Sequence, residues 1–193
     1  MKNFSKINLP EYNTLLVELN NLLNSKIVSW GAHDQICLNS LPGHEDDFHK
    51  GVGSLTLDWN NSDTSSVNGI NNIDIKPKLT QLLETNFTVI CNQFKGTVFE
   101  DLYNMLDRHY VLGRVRLIKL NPKTCLSWHT DQSGRLHYPI LTHEGCLLVI
   151  EDEVMHLPLE QWYMVDTTKF HTAFNGSRKS RIHLVAVILG DKI

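Results

Sequence analysis

Apolar positions divide the chain into two textures. In "PEYNTLLVELNNLLNSK" they fall at Leu15, Leu16, Leu19, Leu22 and Leu23. That is the spacing of one helical face, and it predicts a helix over Pro10 to Lys26 opened by the proline. "QICLNS" and the alternating "GSLTLDW" read as strands. "LPGHEDDFHKG", between them, reads as a loop broken by Pro and Gly and crowded with charge. "NNSDTSSVNGINN" is polar and turn-rich, which predicts an exposed excursion. "KPKLTQLLETN" and "GTVFEDLYNMLDRHY" predict two further short helices. After Leu112 the period shortens. "GRVRLIKL", "RLHYPIL", "GCLLVIE", "EVMHLPL", "WYMVD" and "RIHLVAVIL" are short, β-branched and apolar, and are separated by Gly, Pro, Asn or charge. Regularly spaced short strands predict a sandwich or barrel.

Length and composition narrow the class. The 193 residues suit a single domain, with a helix-containing part over 1–110 and a β-rich part over 111–193 and no evident linker between them. A formal net charge of −3 provides no bulk basic field, so nucleic acid is not the expected partner. No apolar run reaches membrane-spanning length, and "MKNFSKINLPEYN" lacks the apolar core of a signal peptide. These features predict a cytoplasmic protein without a membrane partner. Cys37, Cys91, Cys125 and Cys146 form no CxxC pair and no zinc spacing, so reduced thiols are expected.

Two His-x-Asp triplets compete as a metal site. His44-Glu45-Asp46 lies in the charged loop and reads as solvated surface. His129 and Asp131, in "SWHTD", adjoin the strand-rich half. In an extended segment, residues i and i+2 face the same way and can share one metal ion. A surface turn with no metal is the competing reading. His171, in "TTKFHTAFNG", is the candidate third ligand. Two histidines and one carboxylate on one side of iron(II) leave positions open for substrate and oxygen. Arg181 follows ten residues later, at the start of an apolar strand. A buried guanidinium there needs a partner, and a dicarboxylate would supply it.

The stretch "RVRLIKLNPKTCLSWHTD…GRLHYPILT…HLPLEQWYMVDTTKFHTAFNGSRKSRIHLV" resembles the aspartyl/asparaginyl β-hydroxylase-like family of iron(II)/2-oxoglutarate oxygenases. The likeness covers roughly residues 111 to 189 and is nearer to small bacterial and phage members, which include proline cis-hydroxylases. The resemblance implies a mainly β protein with N-terminal helices, built on a double-stranded β-helix, the cupin-like jelly roll. It implies His129, Asp131 and His171 as the catalytic metal triad. It implies Arg181 on the far carboxylate of 2-oxoglutarate, and Arg135 with His137 on the carboxylate near the metal. Fe(II), 2-oxoglutarate and O2 would be the cofactor and cosubstrates. The sequence departs from the vertebrate-type member, which lacks the carboxylate ligand and has a serine in the cosubstrate pocket where Ile118 stands.

The substrate implied is a small-molecule amino acid or an Asp, Asn or Pro side chain of a protein. A non-catalytic or zinc-binding cupin-type module is the alternative. Trp128 could wall the pocket or pack in the core. Arg114 and Arg116 share a strand face, where one could bind a substrate carboxylate or both could be solvated. Asn175 could reach the site or shape a turn. Tyr138 should face away from His137, and "GSRKSR" reads as a turn between strands. Gln35 and the "PGHEDDFHKG" loop could contribute a lid.

Overall fold

A computed structural model describes residues 2–55, 58–66, 73–78 and 82–192. Strand β1 is Phe4–Ile7, followed by helix α1, Leu15–Asn24. Short strands β2 (Gln35–Cys37) and β3 (Asn39–Ser40) precede a hairpin of β4 (Asp58–Ser66) and β5 (Ile73–Lys78). Strand β6 (Val89–Ile90) leads into helix α2, Val98–His109. Then come β7 (Tyr110–Leu120), β8 (Thr124–Cys125), β9 (Arg135–Leu141) and β10 (Cys146–Ile150). The last four strands are β11 (Glu153–Met155), β12 (Trp162–Val165), β13 (His171–Asn175) and β14 (Arg181–Asp191).

Strands β7 to β14 distribute between two sheets. One has the order β1-β12-β9-β14-β7-β2 and the other β11-β10-β13-β8. This winding is a double-stranded β-helix, so the mainly β jelly roll with N-terminal helices expected from the sequence is the fold. The N-terminal segment supplies both edges of the larger sheet, β1 beside β12 and β2 beside β7.

Period-two alternation assigns the faces of the larger sheet. Val115, Leu117, Leu136, Tyr138, Leu184 and Ala186 pack outward in one core with Leu15, Leu19, Phe99, Leu102 and Leu106 of the helices. Tyr138 accordingly lies away from His137, tilted against Trp162 at 4.6 Å. The opposite face encloses a second core of Phe4, Leu120, Leu148, Ile150, Leu157, Tyr163, Val165 and Ala173. Arg114, Arg116, Arg135, His137, Arg181 and His183 alternate with the outward apolar set and are buried or nearly so.

Four expected elements differ. Of the strand expected over "GSLTLDW", only Asp58 and Trp59 are strand, at the start of β4; Gly53–Leu55 are not, and residues 56–57 lie outside the described set. Helix α1 begins at Leu15 rather than Pro10. The Pro10 carbonyl accepts from Trp162 Nε1 at 2.8 Å, and the Tyr12 N–H donates to the Tyr138 hydroxyl at 2.7 Å, which pins that segment to the sheet. The polar "NNSDTSSVNGINN" is strand through Ser66, with residues 67–72 outside the described set. The described parts of "KPKLTQLLETN" are not α-helical: Lys76–Lys78 closes β5 and Glu84–Asn86 is a single 3₁₀ turn, with residues 79–81 outside the described set. Pro77 sits within β5, where its missing N–H disfavours a helix interior, and Glu84 is drawn to Arg114.

The helix over "GTVFEDLYNMLDRHY" forms as expected. Thr97 Oγ1 caps its N-terminus by accepting from Phe99 N–H. Glu100 and Asp101 lie in its first turn, and Arg108 and His109 in its last, complementing the helix dipole. Among the described residues no helix is long and apolar enough to cross a membrane.

Candidate active site

His129 and His171 are far apart in sequence and directly opposite in space. Their backbones exchange two hydrogen bonds, at 3.0 and 2.9 Å. Residues paired across an antiparallel bridge point to one face, so their rings lie 4.3 Å apart between centroids. Asp131 is held by its own N–H donating to the Thr167 carbonyl at 2.8 Å. Its carboxylate lies 4.0 Å from His129 Nε2 and 3.6 Å from His171 Nε2. Donor atoms of all three side chains lie within 4.8 Å of one another, and among the described residues no other His, Cys, Asp or Glu group does so. His44 and Asp46 of the competing triplet are exposed, and Asp46 Oδ1 accepts from Asn92 Nδ2 at 2.8 Å.

The tautomers follow from the neighbours. His129 Nδ1 lies 2.8 Å from the Ser127 carbonyl, and His171 Nδ1 lies 2.9 Å from the Lys169 carbonyl. A carbonyl only accepts, so each Nδ1 carries the proton and each Nε2 presents a lone pair toward Asp131. Burial holds His171's pKa below the usual histidine value, although its hydrogen bond to Lys169 opposes the shift. A neutral imidazole is the ligating form. Two imidazole nitrogens and a carboxylate on one face are the donor set of a mononuclear non-haem iron(II) site, and the three residues fit that ion.

Behind the triad the wall is basic. The Arg135 guanidinium sits 2.7 Å from Asp131 Oδ1, and its Nε has no partner. Arg181 is 3 % exposed, and its Nε and one terminal nitrogen have no hydrogen-bond partner. Burial lowers its pKa to about 10, so it remains cationic at neutral pH. A dry guanidinium with unmet donors is costly without an anion. The orphaned donors of Arg181 therefore fit an anion such as a carboxylate. His137 is buried nearby, its Nδ1 3.5 Å from His183 Nδ1.

The remaining expected residues separate cleanly. Arg116 is buried rather than solvated. It donates to Gln35 Oε1 at 2.9 Å and to the Gly53 carbonyl at 3.1 Å, while its Nε is unpartnered. Burial, with Arg114 and Arg135 nearby, lowers its pKa to about 9. Arg114 is buried too but fully committed. It pairs with Glu84 at 2.7 Å and donates to the carbonyls of Gly51 and Gly53. Asn175 shapes a turn and has no donor left for a substrate. Its amide donates to the Leu120 and Lys179 carbonyls, and its oxygen accepts from Ser177 and Cys146. Trp128 is not core. It is half-exposed beside His129 and stacks on Phe170 at 5.1 Å. Gln35 is part of the wall, bonded to Arg116. "GSRKSR" is the turn between β13 and β14.

Sequence reasoning passed over His183 and Glu84. His183 was legible as the residue two beyond Arg181 on one strand face. Glu84 carried no signal, because nothing local ties it to Arg114.

The sequence pattern of the Aspartyl/Asparaginyl beta-hydroxylase family matches residues 53–189, and the chain belongs to that family. Its members are iron(II)- and 2-oxoglutarate-dependent hydroxylases. A relative is the L-proline cis-4-hydroxylase of Rhizobium meliloti (strain 1021), 26% identical over 93 residues, which are 44% of this chain and 33% of that protein. The chain thus aligns with about a third of that relative's length. Among solved structures, AviO1 from Streptomyces viridochromogenes Tue57 is 13% identical with a TM-score of 0.42, over 99% of this chain and 92% of that one. A 2OG-Fe(II) oxygenase family oxidoreductase from Burkholderia pseudomallei is 13% identical with a TM-score of 0.36, over 57% and 60%.

Proposed function

We propose that this protein is a hydroxylase that binds iron(II) through His129, Asp131 and His171 and uses 2-oxoglutarate and O2 to hydroxylate an amino acid. The observation that carries the reading is Arg181, a buried guanidinium with unmet donors in the barrel that holds the triad. A zinc-binding or non-catalytic cupin has no use for that charge.

Iron(II) held by His129, Asp131 and His171 would, with 2-oxoglutarate and O2, supply the oxidising power: the cosubstrate would be oxidised to succinate and CO2 as a substrate C–H becomes C–OH. The chain's own side chains do the rest. Arg181 receives the far carboxylate of 2-oxoglutarate by charge-assisted hydrogen bonds. Arg135 holds Asp131 at one oxygen and leaves the other free for the metal. The apolar inner core excludes water from the reacting centre.

Charge favours a free amino acid over a residue within a protein. Arg116, Arg135 and Arg181 face the interior, with Asp131 as the anion paired among them. Iron(II) adds two positive charges and 2-oxoglutarate removes two. A positive excess remains at Arg116, whose unpartnered Nε suits the α-carboxylate of a free amino acid. The name of the Rhizobium relative, a hydroxylase of L-proline, accords with this class.

The test is succinate release by iron(II)-loaded protein in air, with a panel of free amino acids beside a peptide-rich lysate depleted of small molecules. The expected result is stimulation by one free amino acid and a product heavier by one oxygen atom. Stimulation only by the lysate would move the substrate to a protein side chain. Asp131→Ala should abolish both turnover and iron binding, the latter read by metal analysis after desalting. Full turnover by that variant would sink the assignment.

A further inference from the structure

Three of the unmet donor or acceptor atoms inside the barrel lie within one short stretch of β14. Two belong to Arg181 and the third is Nε2 of His183. His183 is two residues along the strand, so its ring shares the inward face with Arg181. It is 2 % exposed. Among the described residues its ring meets His137, edge-on at 83°, with the two Nδ1 atoms 3.5 Å apart. Directly across the sheet, its register partner on β7 is Ile118, which brings no hydrogen-bonding group to that side.

A buried polar atom left unmet in a folded wall costs free energy, and such atoms are paired in the great majority of cases. On this wall the unmet atoms are clustered and beside a cation, so an anion is the group that meets them together. We propose that His183 is a second binding residue for 2-oxoglutarate, donating from Nε2 to the carboxylate that Arg181 holds. This rests on the reading of Arg181 given above.

Protonation agrees with that role. Burial, then the charge of Arg181, holds His183 well below the ordinary histidine pKa, so the ring is neutral and carries one proton. His137 is held neutral in the same way, by burial and then by Arg181. Between two facing Nδ1 atoms, one donates and the other accepts. If His183 accepts there, its single proton is on Nε2, where the carboxylate needs it. His137 then acts as a positioning residue that fixes the tautomer of His183.

The experiment is equilibrium binding under anaerobic conditions to the full chain loaded with iron(II), comparing 2-oxoglutarate with 2-oxopentanoate. The second ligand keeps the 2-oxo acid end and the five-carbon chain but lacks the far carboxylate. His183→Leu should weaken 2-oxoglutarate binding about 10- to 100-fold, the range of a hydrogen bond to a charged group, and leave 2-oxopentanoate unchanged. His183→Gln, which keeps a donor, should recover most of the loss. Ile118→Ser in the His183→Leu background should recover part of it from the opposing strand. Equal binding of 2-oxoglutarate by wild type and His183→Leu would overturn the proposal. Equal loss of both ligands would also overturn it and make His183 a packing residue. Should His183→Leu fail to fold, His183→Gln decides: near-wild-type selectivity between the two ligands is expected, and lost selectivity overturns the role. Failure of the wild-type protein to bind 2-oxoglutarate would instead remove the underlying reading of Arg181.

Discussion

In the role proposed for it, Arg181 sets ligand affinity against the stability of the ligand-free protein. Its charge is dry and its donors unmet, so replacing it with an apolar side chain of similar length removes a penalty. Arg181→Met should raise the melting temperature of the ligand-free protein, at about 2–4 °C per kcal/mol recovered for a chain of this size. It should also weaken 2-oxoglutarate by roughly two orders of magnitude, the equivalent of about 3 kcal/mol. Thermal melts with and without the ligand read both effects. The neutral histidines make a second prediction at this scale. His137 and His183 resist protonation when folded but take a proton near pH 6.5 when unfolded. Below that pH the unfolded chain binds more protons. Stability is therefore fully present above about pH 6.5 and falls as the solution is acidified. The slope contributed is up to about 1.4 kcal/mol per pH unit for each ring. Urea unfolding at a series of pH values should show the fall, and His183→Leu should make it shallower.

At the scale of elements, β7 is tied to the N-terminal half by a part-buried pair. Glu84 accepts from the Arg114 backbone N–H at 2.9 Å and from its guanidinium at 2.7 Å. Burial alone would push the Glu84 pKa up, but the hydrogen bonds and charge of Arg114 outweigh it and hold the carboxyl below its usual range. Gly113 permits the approach, because a Cβ there would lie 2.8 Å from the Glu84 carboxylate. Glu84→Ala would strand a buried guanidinium, so a loss of about 3–5 kcal/mol is expected in denaturant unfolding. The strands of the larger sheet were legible because alternation with β-branched residues is a local signal. The 3₁₀ turn at Glu84–Asn86 was not. "LLET" has helical composition, and at Glu84 what overrides it is an ion pair across 30 residues of chain. The delayed start of α1 has the same origin, in bonds from Trp162 and Tyr138 to a segment whose local signals favour helix.

For the whole molecule, the inner and outer cores share one sheet, and the N-terminal segment completes both. Phe4 lies in the inner core with Tyr163 and Val165, on the strand that closes the sheet edge beside β12. Phe4→Ala should cost about 3 kcal/mol in urea unfolding, in the range for a buried phenylalanine. A cost near zero would mean that the barrel closes without β1. The triad was readable because its three residue types stand in a recognisable order, although only His171 lies on a strand and His129 joins it through an isolated bridge. The basic wall was only half readable. Arg181 and Arg135 follow the motif, whereas the burial of Arg116 and the pairing of Arg114 depend on Gln35, Gly51, Gly53 and Glu84, which come from the N-terminal half.

The clamp at Arg114 has a consequence for how this chain can vary. One guanidinium holds the carbonyl of Gly53 and the carboxylate of Glu84, the two roots of everything between them. With both ends fixed, lengthening what lies between them adds only slowly to the entropy of closure. Gly53 also receives a hydrogen bond from Arg116, so whatever is grafted there emerges beside the proposed substrate-binding arginine. A change of length between these two anchors is therefore expected to leave the ion pair of Arg114 with Glu84 in place.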